Sequence, residues 1–317
     1  MKVAVGDRNL VPHRDLFASL LPSGASVEWF PDDLSDVDVY VGGRFPAELA
    51  SAAPKLRLVH VAGAGTDNVA LAALGPDTMV ANTFHHEDSI AEYVAATTVL
   101  LRRGLLGQDR ALRSDLWASS VYDSSLPQAR SLRDAVVGFV GFGHIGQRSW
   151  ELLRAFGCVG RAVTGRGNVD AAAHGLDWAS DTSSLDRLLR ESEVVVVSAP
   201  LTDATRGLIG ARELGLLGRD GVLINVGRGP LVSEQALYDA LSSGALGAAA
   251  LDVWYSYPGP DGRGAPSALP FASLTNVLMT PHVSGVTRDT FVGRMRDIAE
   301  NIARLDRGEP LLRVVAR

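Results

Sequence analysis

Three features of this sequence have side chains and spacing that could do chemistry on a small anion. Arg228 lies between glycines in Asn225-Val226-Gly227-Arg228-Gly229, just after an apolar segment at 221–225. A planar guanidinium there can grip carboxylate and carbonyl oxygens together, at the sheet edge where α/β folds bind ligands. On spacing alone a solvated loop charge fits Arg228 as well. His282 follows an apolar segment and a proline in Thr280-Pro281-His282-Val283-Ser284-Gly285, and an imidazole can give and take a proton near neutrality. It is one of seven histidines, so its setting singles it out and its residue type does not. The third feature is Gly141-Phe142-Gly143-His144-Ile145-Gly146, a G-x-G-x-x-G run after an apolar segment at 135–140 and before a helical pattern at 147–156. With that context the first glycine makes the tight turn, the second lets backbone approach a pyrophosphate, and the third lets helix and strand pack closely. Phosphate then rests on the amides of a helix N-terminus.

The elements that must position these groups fall into two series. Short apolar segments at 3–5, 37–41 and 56–61, then a long helix over 90–106, read as a first parallel sheet. Residues 115–131, with Trp117, Tyr122 and Pro127, are less regular and read as a surface loop or as an arm onto a second subunit. A second series at 135–140, 161–164, 193–198, 221–225, 248–252 and 277–280 predicts a six-stranded doubly wound sheet. After Pro281 a helix over 287–305 and an apolar tail at 311–315 return the chain to its first domain. The glycine turn sits in the middle of 317 residues, so the nucleotide domain is expected as an insertion: residues 101–285 inside a catalytic domain made of 1–100 and 286–317.

Composition narrows the function classes. Hydrophobic residues at 46% with 21% charged are those of an ordinary globular chain, long enough for two domains. A net charge of -6 without blocks of like charge argues against nucleic acid or anionic membrane as the main partner. The single cysteine, Cys158, cannot form an intramolecular disulfide and sits in an apolar segment, where packing is its expected role. The first residues turn polar too early for a signal-peptide core, and a cytoplasmic location is expected. His85 and His86 have no Cys or carboxylate cluster with metal spacing beside them, and no metal is expected.

Read in order, Ala62-Gly63-Ala64-Gly65-Thr66-Asp67, Ser89-Ile90-Ala91-Glu92, the glycine run, Ala199-Pro200-Leu201-Thr202, Asn225-Val226-Gly227-Arg228-Gly229, Leu251-Asp252-Val253-Trp254 and Thr280-Pro281-His282-Val283-Ser284-Gly285 resemble the D-isomer-specific 2-hydroxyacid dehydrogenases. The resemblance covers nearly the whole chain. It implies an α/β fold of two doubly wound parallel-sheet domains, a flavodoxin-like catalytic domain and an inserted Rossmann cofactor domain, with the active site in the cleft between them. It further implies a homodimer and hydride transfer between NAD(P)H and a small 2-keto or 2-hydroxy acid. In that scheme Arg228 binds the carboxylate and carbonyl, His282 is the proton donor and acceptor, and the amides of Ala64 and Gly65 bind the substrate carboxylate. The resemblance places Pro200 beside the adenosine half of the cofactor and Asp252 beside the nicotinamide carboxamide, with His144, Ile145, Thr205, Val226, Ser284 and Gly285 among the cofactor-lining residues.

Two positions bear on which member of the family this is. Family members commonly carry a glutamate that keeps the histidine protonated, and Tyr257 stands in its place. A neutral phenol cannot support the imidazolium as a carboxylate would, so keto-acid reduction is expected to fall off at lower pH than in glutamate-bearing relatives. Formate dehydrogenases carry a neutral glutamine there, which makes formate or phosphite oxidation the rival reading; a catalytically silent, dinucleotide-sensing dimeric scaffold is another. No acid occupies the end of the second strand, where NAD-specific sites usually place one roughly 20 residues after the glycine run. Thr164-Gly165-Arg166 offers instead a hydroxyl and a guanidinium suited to a 2'-phosphate, and resembles the Thr-Gly-Arg of NADPH-using glyoxylate/hydroxypyruvate reductases. A solvated turn arginine is the plainer reading of Arg166. NADP(H) is favoured over NAD(H), and substrate choice is expected to lie with Tyr255, Tyr257 and the 258–270 loop.

Overall fold

Contacts divide the chain into two compact units, Met1–His86 with Val286–Arg317 and Glu87–Gly285. The computed structural model describes residues 1–259 and 261–316, so Pro260 of the 258–270 loop and the final Arg317 lie outside the described residues. The helix Glu87–Arg102, across which the sequence reading drew its boundary at residue 100, falls in the second unit.

In the first unit five short strands are parallel: β1 (Lys2–Val5), β2 (Ser26–Trp29), β3 (Val39–Val41), β4 (Leu58–His60) and β5 (Met79–Ala81). Their spatial order 2-1-3-4-5 is the flavodoxin-like winding. β3 and β4 are buried at every position, as strands covered on both faces must be. The cover on one side comes from the far end of the chain. The helix Arg288–Arg307 presents Phe291, Met295, Ile298, Ile302 and Leu305, a stripe at steps of three and four, to Val3, Val39 and Leu58. Thr287 caps its start by accepting from the Thr290 amide, and Gly308 ends it in the left-handed conformation.

The second unit holds β6 (Val136–Val140), β7 (Val159–Thr164), β8 (Trp178–Asp181), β9 (Val194–Val197), β10 (Val222–Asn225), β11 (Ala248–Leu251) and β12 (Val277–Met279). All seven are parallel in the order 12-11-10-9-6-7-8, so the winding reverses between β6 and β9, where doubly wound folds take ligands. Val194–Val197 is buried at every position, the signature of a central parallel strand. Separate apolar clusters include Val195, Val197 and Leu223 on one hand and Val194, Val196 and Ile224 on the other, as expected when alternate residues face opposite layers. β13 (Val314–Ala316) finally pairs antiparallel with β5 and closes that edge of the first sheet.

The expectations differ from the structure in particulars that have local causes. The long helix stops at Arg102 and a separate helix, Leu105–Leu112, begins beyond Gly104, whose φ of 65° breaks the α run. The second sheet has seven strands where six were expected, β8 being the addition. The tail at 311–315 contributes a strand, and 115–131 contains no helix or strand among the described residues. No helix among the described residues is long and apolar enough to cross a membrane.

Candidate active site

Each glycine of the 141–146 turn has a separate physical reason. Gly141 follows β6 with φ +92°, and a Cβ there would lie 2.6 Å from the Ala199 amide nitrogen. No side chain can replace it without moving the β9 end. At Gly143 a Cβ would meet nothing within 4 Å, so the surface above it is open to a ligand. Gly146 packs against the Gly141 carbonyl, 2.8 Å from its would-be Cβ. The helix His144–Arg154 starts there with no capping side chain, leaving the first-turn amides to face whatever sits above Gly143. These residues fit a pyrophosphate: open backbone, a positive helix end and no carboxylate in the first turn.

The loop that carries Arg228 is held by its neighbours. Asn225, at the end of β10, donates Nδ2 to the Arg228 carbonyl at 3.0 Å and accepts from the Gly227 amide at 3.2 Å, pinning the loop on both sides. Gly229 is required because a Cβ there would lie 2.3 Å from the Trp254 carbonyl. The half-buried Arg228 side chain donates to the Gly227 carbonyl at 2.9 Å. Val226, buried beside it, donates its amide to Val197 at 3.1 Å.

A single buried carboxylate organises the segment that carries His282. Asp252, at the end of β11, accepts from Thr280 Oγ1 (2.7 Å), the Val283 amide (2.8 Å), the Ser284 amide (2.9 Å) and Ser284 Oγ (2.5 Å). Thr280 is also tied to Tyr93 Oη at 2.9 Å, and its carbonyl accepts from Trp254 Nε1 at 2.8 Å. Burial pushes the Tyr93 phenol up to about 12, so it stays a neutral hydroxyl in this network. Held from both sides, His282 adopts φ 57°, a left-handed conformation uncommon outside glycine, and its side chain is exposed. The Tyr257 ring lies 5.6 Å from the His282 ring, tilted by 52°, and its hydroxyl accepts from the Trp254 amide at 3.4 Å. Ser284 and Gly285 follow as buried and half-buried residues.

The remaining expected positions are distributed along strand ends. Thr164 ends β7 and accepts from the Gly167 amide at 3.0 Å, which folds the turn and leaves Arg166 exposed at its tip. Pro200 lies just beyond the end of β9, where its carbonyl accepts from Thr205 Oγ1 at 2.7 Å; Thr205 Oγ1 in turn accepts from the Thr202 amide at 2.8 Å. Gly141, Thr164, Pro200, Arg228, Asp252 and His282 thus all follow or end strands at the C-terminal edge of one parallel sheet. Ala64 and Gly65 belong to the first unit, just after β4, where Asn82 Nδ2 donates to the Ala64 carbonyl at 2.8 Å. His85 pairs with Asp297 at 2.9 Å, while His86 Nδ1 lies 3.2 Å from Arg294 Nη2. Cys158 is buried against the Leu132 carbonyl, and burial pushes its thiol up to about 11, away from reactivity. Tyr93 and Asn225 were not singled out from the sequence. Tyr93 lies 187 positions from Thr280, and no local pattern announces that bond.

Comparison with known proteins agrees with this architecture. Residues 95–284 match the model described as "D-isomer specific 2-hydroxyacid dehydrogenase, NAD binding domain". The chain is 33% identical over 265 residues to glyoxylate/hydroxypyruvate reductase B of Erwinia tasmaniensis, covering 82% of this chain and 79% of that one. It is 30% identical over 272 residues to glyoxylate reductase of Aeropyrum pernix, covering 84% and 78%. Among solved structures, the NADPH-dependent glyoxylate/hydroxypyruvate reductase of Sinorhizobium meliloti, in complex with NADP and sulfate, superposes with a TM-score of 0.82 at 27% identity, over 99% of this chain and 98% of that one. The chain belongs to the D-isomer specific 2-hydroxyacid dehydrogenase family. It is by that membership an NAD(P)-dependent oxidoreductase.

Proposed function

We propose that this protein reduces a small 2-keto acid, glyoxylate or hydroxypyruvate, with NADPH. The observation that carries the reading is the juxtaposition at one sheet edge of an open glycine turn, a loop-pinned Arg228 and a His282 segment locked by Asp252. A bound nicotinamide supplies the hydride. Arg228 binds the carboxylate and draws charge onto the carbonyl oxygen as it becomes an alkoxide, and His282 delivers the proton to that oxygen. The amides of Ala64 and Gly65 are assigned to the carboxylate as well. Asp252 fixes where the imidazole stands through the 280–284 backbone, and is assigned to the carboxamide end of the cofactor. Tyr257 borders the imidazole without the charge that a glutamate would bring.

Gly141, Gly143, His144, Ile145 and Gly146 are assigned to the pyrophosphate, and Pro200, Thr205, Val226, Ser284 and Gly285 to the rest of the dinucleotide. Preference for NADPH rests on the exposed Arg166 at the tip of the turn that Thr164 closes, with no acid at the end of β7. The related Sinorhizobium enzyme is NADPH-dependent and holds NADP. A cofactor-consumption screen of short 2-keto acids, formate and phosphite with both dinucleotides tests the whole reading. Turnover of glyoxylate or hydroxypyruvate with NADPH supports it; NADH preference removes the Arg166 role. Formate or phosphite oxidation alone would move the protein to the rival chemistry, and NADPH binding without any turnover would make it a scaffold.

We further propose a homodimer in which the 115–131 stretch is the arm and its apolar side chains up to Tyr122 are covered. Leu116, Trp117, Val121 and Tyr122 are all more than half exposed there, and the Trp117 and Tyr122 rings pack on each other at 5.4 Å.

A further inference from the structure

We infer that the second unit carries an anion-binding site at the sheet edge opposite its glycine turn. A cavity of about 310 Å³ lies there, lined by Arg102, Arg130 and Arg219 together with Asp220, at the point where β10 and β11 begin. Arg102 anchors it. Its side chain is only 9% exposed, and Nη1 donates to Glu193 Oε2 at 2.6 Å. Its Nε is buried and has no hydrogen-bond partner among the described residues. A guanidinium stays charged at any physiological pH, so this donor cannot be silenced by losing its proton. Buried donors in folded proteins are almost always met by an acceptor, so Arg102 is a guanidinium that its own neighbours do not fully satisfy.

The nearest carboxylate does not supply one. Glu193 Oε2 is shared between Arg102 and Arg130, the latter at 3.5 Å, and Oε1 accepts from the Val136 amide at 3.3 Å. Three guanidiniums therefore stand against two carboxylates, Glu193 and Asp220, leaving one positive charge in excess. Arg130 and Arg219 are exposed, so both can turn onto a ligand without giving up buried packing. The fork of a guanidinium matches paired oxygens, which makes the ligand class a small polyanion: a phosphate monoester or a di- or tricarboxylate. The cavity is at the lower end of the size range for small-molecule sites. β10 separates it from the proposed catalytic loop, since Val222 lines the cavity and Asn225 at the other end of the strand holds Arg228.

The test is calorimetric titration of the full-length protein, saturated with NADPH, with inorganic phosphate and separately with citrate. Arg228→Gln serves as the background that removes the proposed substrate-anion contact. One anion bound per chain, retained in Arg228→Gln and weakened at least about tenfold in Arg130→Ala/Arg219→Ala, is the expected result. Both substituted side chains are exposed, and NADPH affinity should be unchanged in that variant. Arg102→Lys, which keeps a cation beside Glu193 but removes the planar fork, should weaken binding to a similar extent. Citrate binding more tightly than phosphate identifies a carboxylate ligand, and the reverse order a phosphoryl one. Binding that vanishes in Arg228→Gln and survives the double substitution would overturn the site, as would no binding of either anion up to about 10 mM.

Discussion

At the scale of single residues, substitution tests the roles proposed for Arg228 and Tyr257. On the role proposed for it, Arg228→Gln removes the charge facing the developing alkoxide, and kcat/KM for the preferred 2-keto acid should fall by about two to three orders of magnitude with NADPH affinity retained. Steady-state kinetics beside a cofactor titration checks both halves. Tyr257→Glu places a carboxylate near the imidazole, and the high-pH limb of the reduction profile should move upward. An unmoved limb would remove Tyr257 from the account of the pH profile. His60 is a purely structural titration. Fully buried, with Nδ1 at 3.2 Å from the Val61 carbonyl and Nε2 at 2.9 Å from Asn301 Nδ2, it is driven down to about 4, chiefly by burial. The unfolded chain takes up this proton near pH 6.5 and the folded chain only near 4, so stability should decline as pH falls between those values, by roughly 2–3 kcal/mol. Denaturant melts of wild type and His60→Asn across that range measure it; the variant should lose most of the slope.

At the scale of elements, the glycine turn allows stability and binding to be pulled apart. Gly141→Ala forces a Cβ into the Ala199 backbone at a left-handed φ and should cost about 2 kcal/mol or more. Gly143→Ala meets nothing in the protein, so it should melt near wild type while weakening NADPH binding. Thermal melts with and without NADPH distinguish the two. Equal behaviour would mean that the surface above Gly143 is not where the cofactor lies. The turn was legible in the sequence because its glycine spacing, the apolar strand before it and the helical pattern after it all lie within one short segment. Strands buried on both faces, such as Val194–Val197, were legible for the same reason, since an unbroken apolar run has few other uses. β8 was not, because Trp178-Ala179-Ser180-Asp181 is a half-exposed edge strand whose pairing with β7 leaves no apolar signature. β5 is a three-residue apolar run between Thr78 and Asn82, shorter than the 37–41 and 56–61 segments that announced β3 and β4. The Asp252 network escaped the sequence for another reason: its partners lie about 30 positions away and meet it only because β11 and β12 are neighbours.

At the scale of the whole molecule, the exposed apolar residues of 112–122 bear on assembly. Trp117→Ser/Tyr122→Ser should shift the particle from dimer to monomer in light scattering without changing its circular dichroism. A wild-type protein already monomeric at micromolar concentration would remove the proposed interface. The discontinuous first unit has a consequence of a different kind, concerning the order in which the chain is made. Its sheet is complete through β5 by residue 81, yet the helix that supplies Phe291, Met295, Ile298, Ile302 and Leu305 to its core is translated only after the entire second unit. On the ribosome the second unit can fold as soon as it emerges, while the opening strands wait with one apolar layer lacking its long helix. The early sheet therefore cannot complete its core until residue 305 has cleared the exit tunnel.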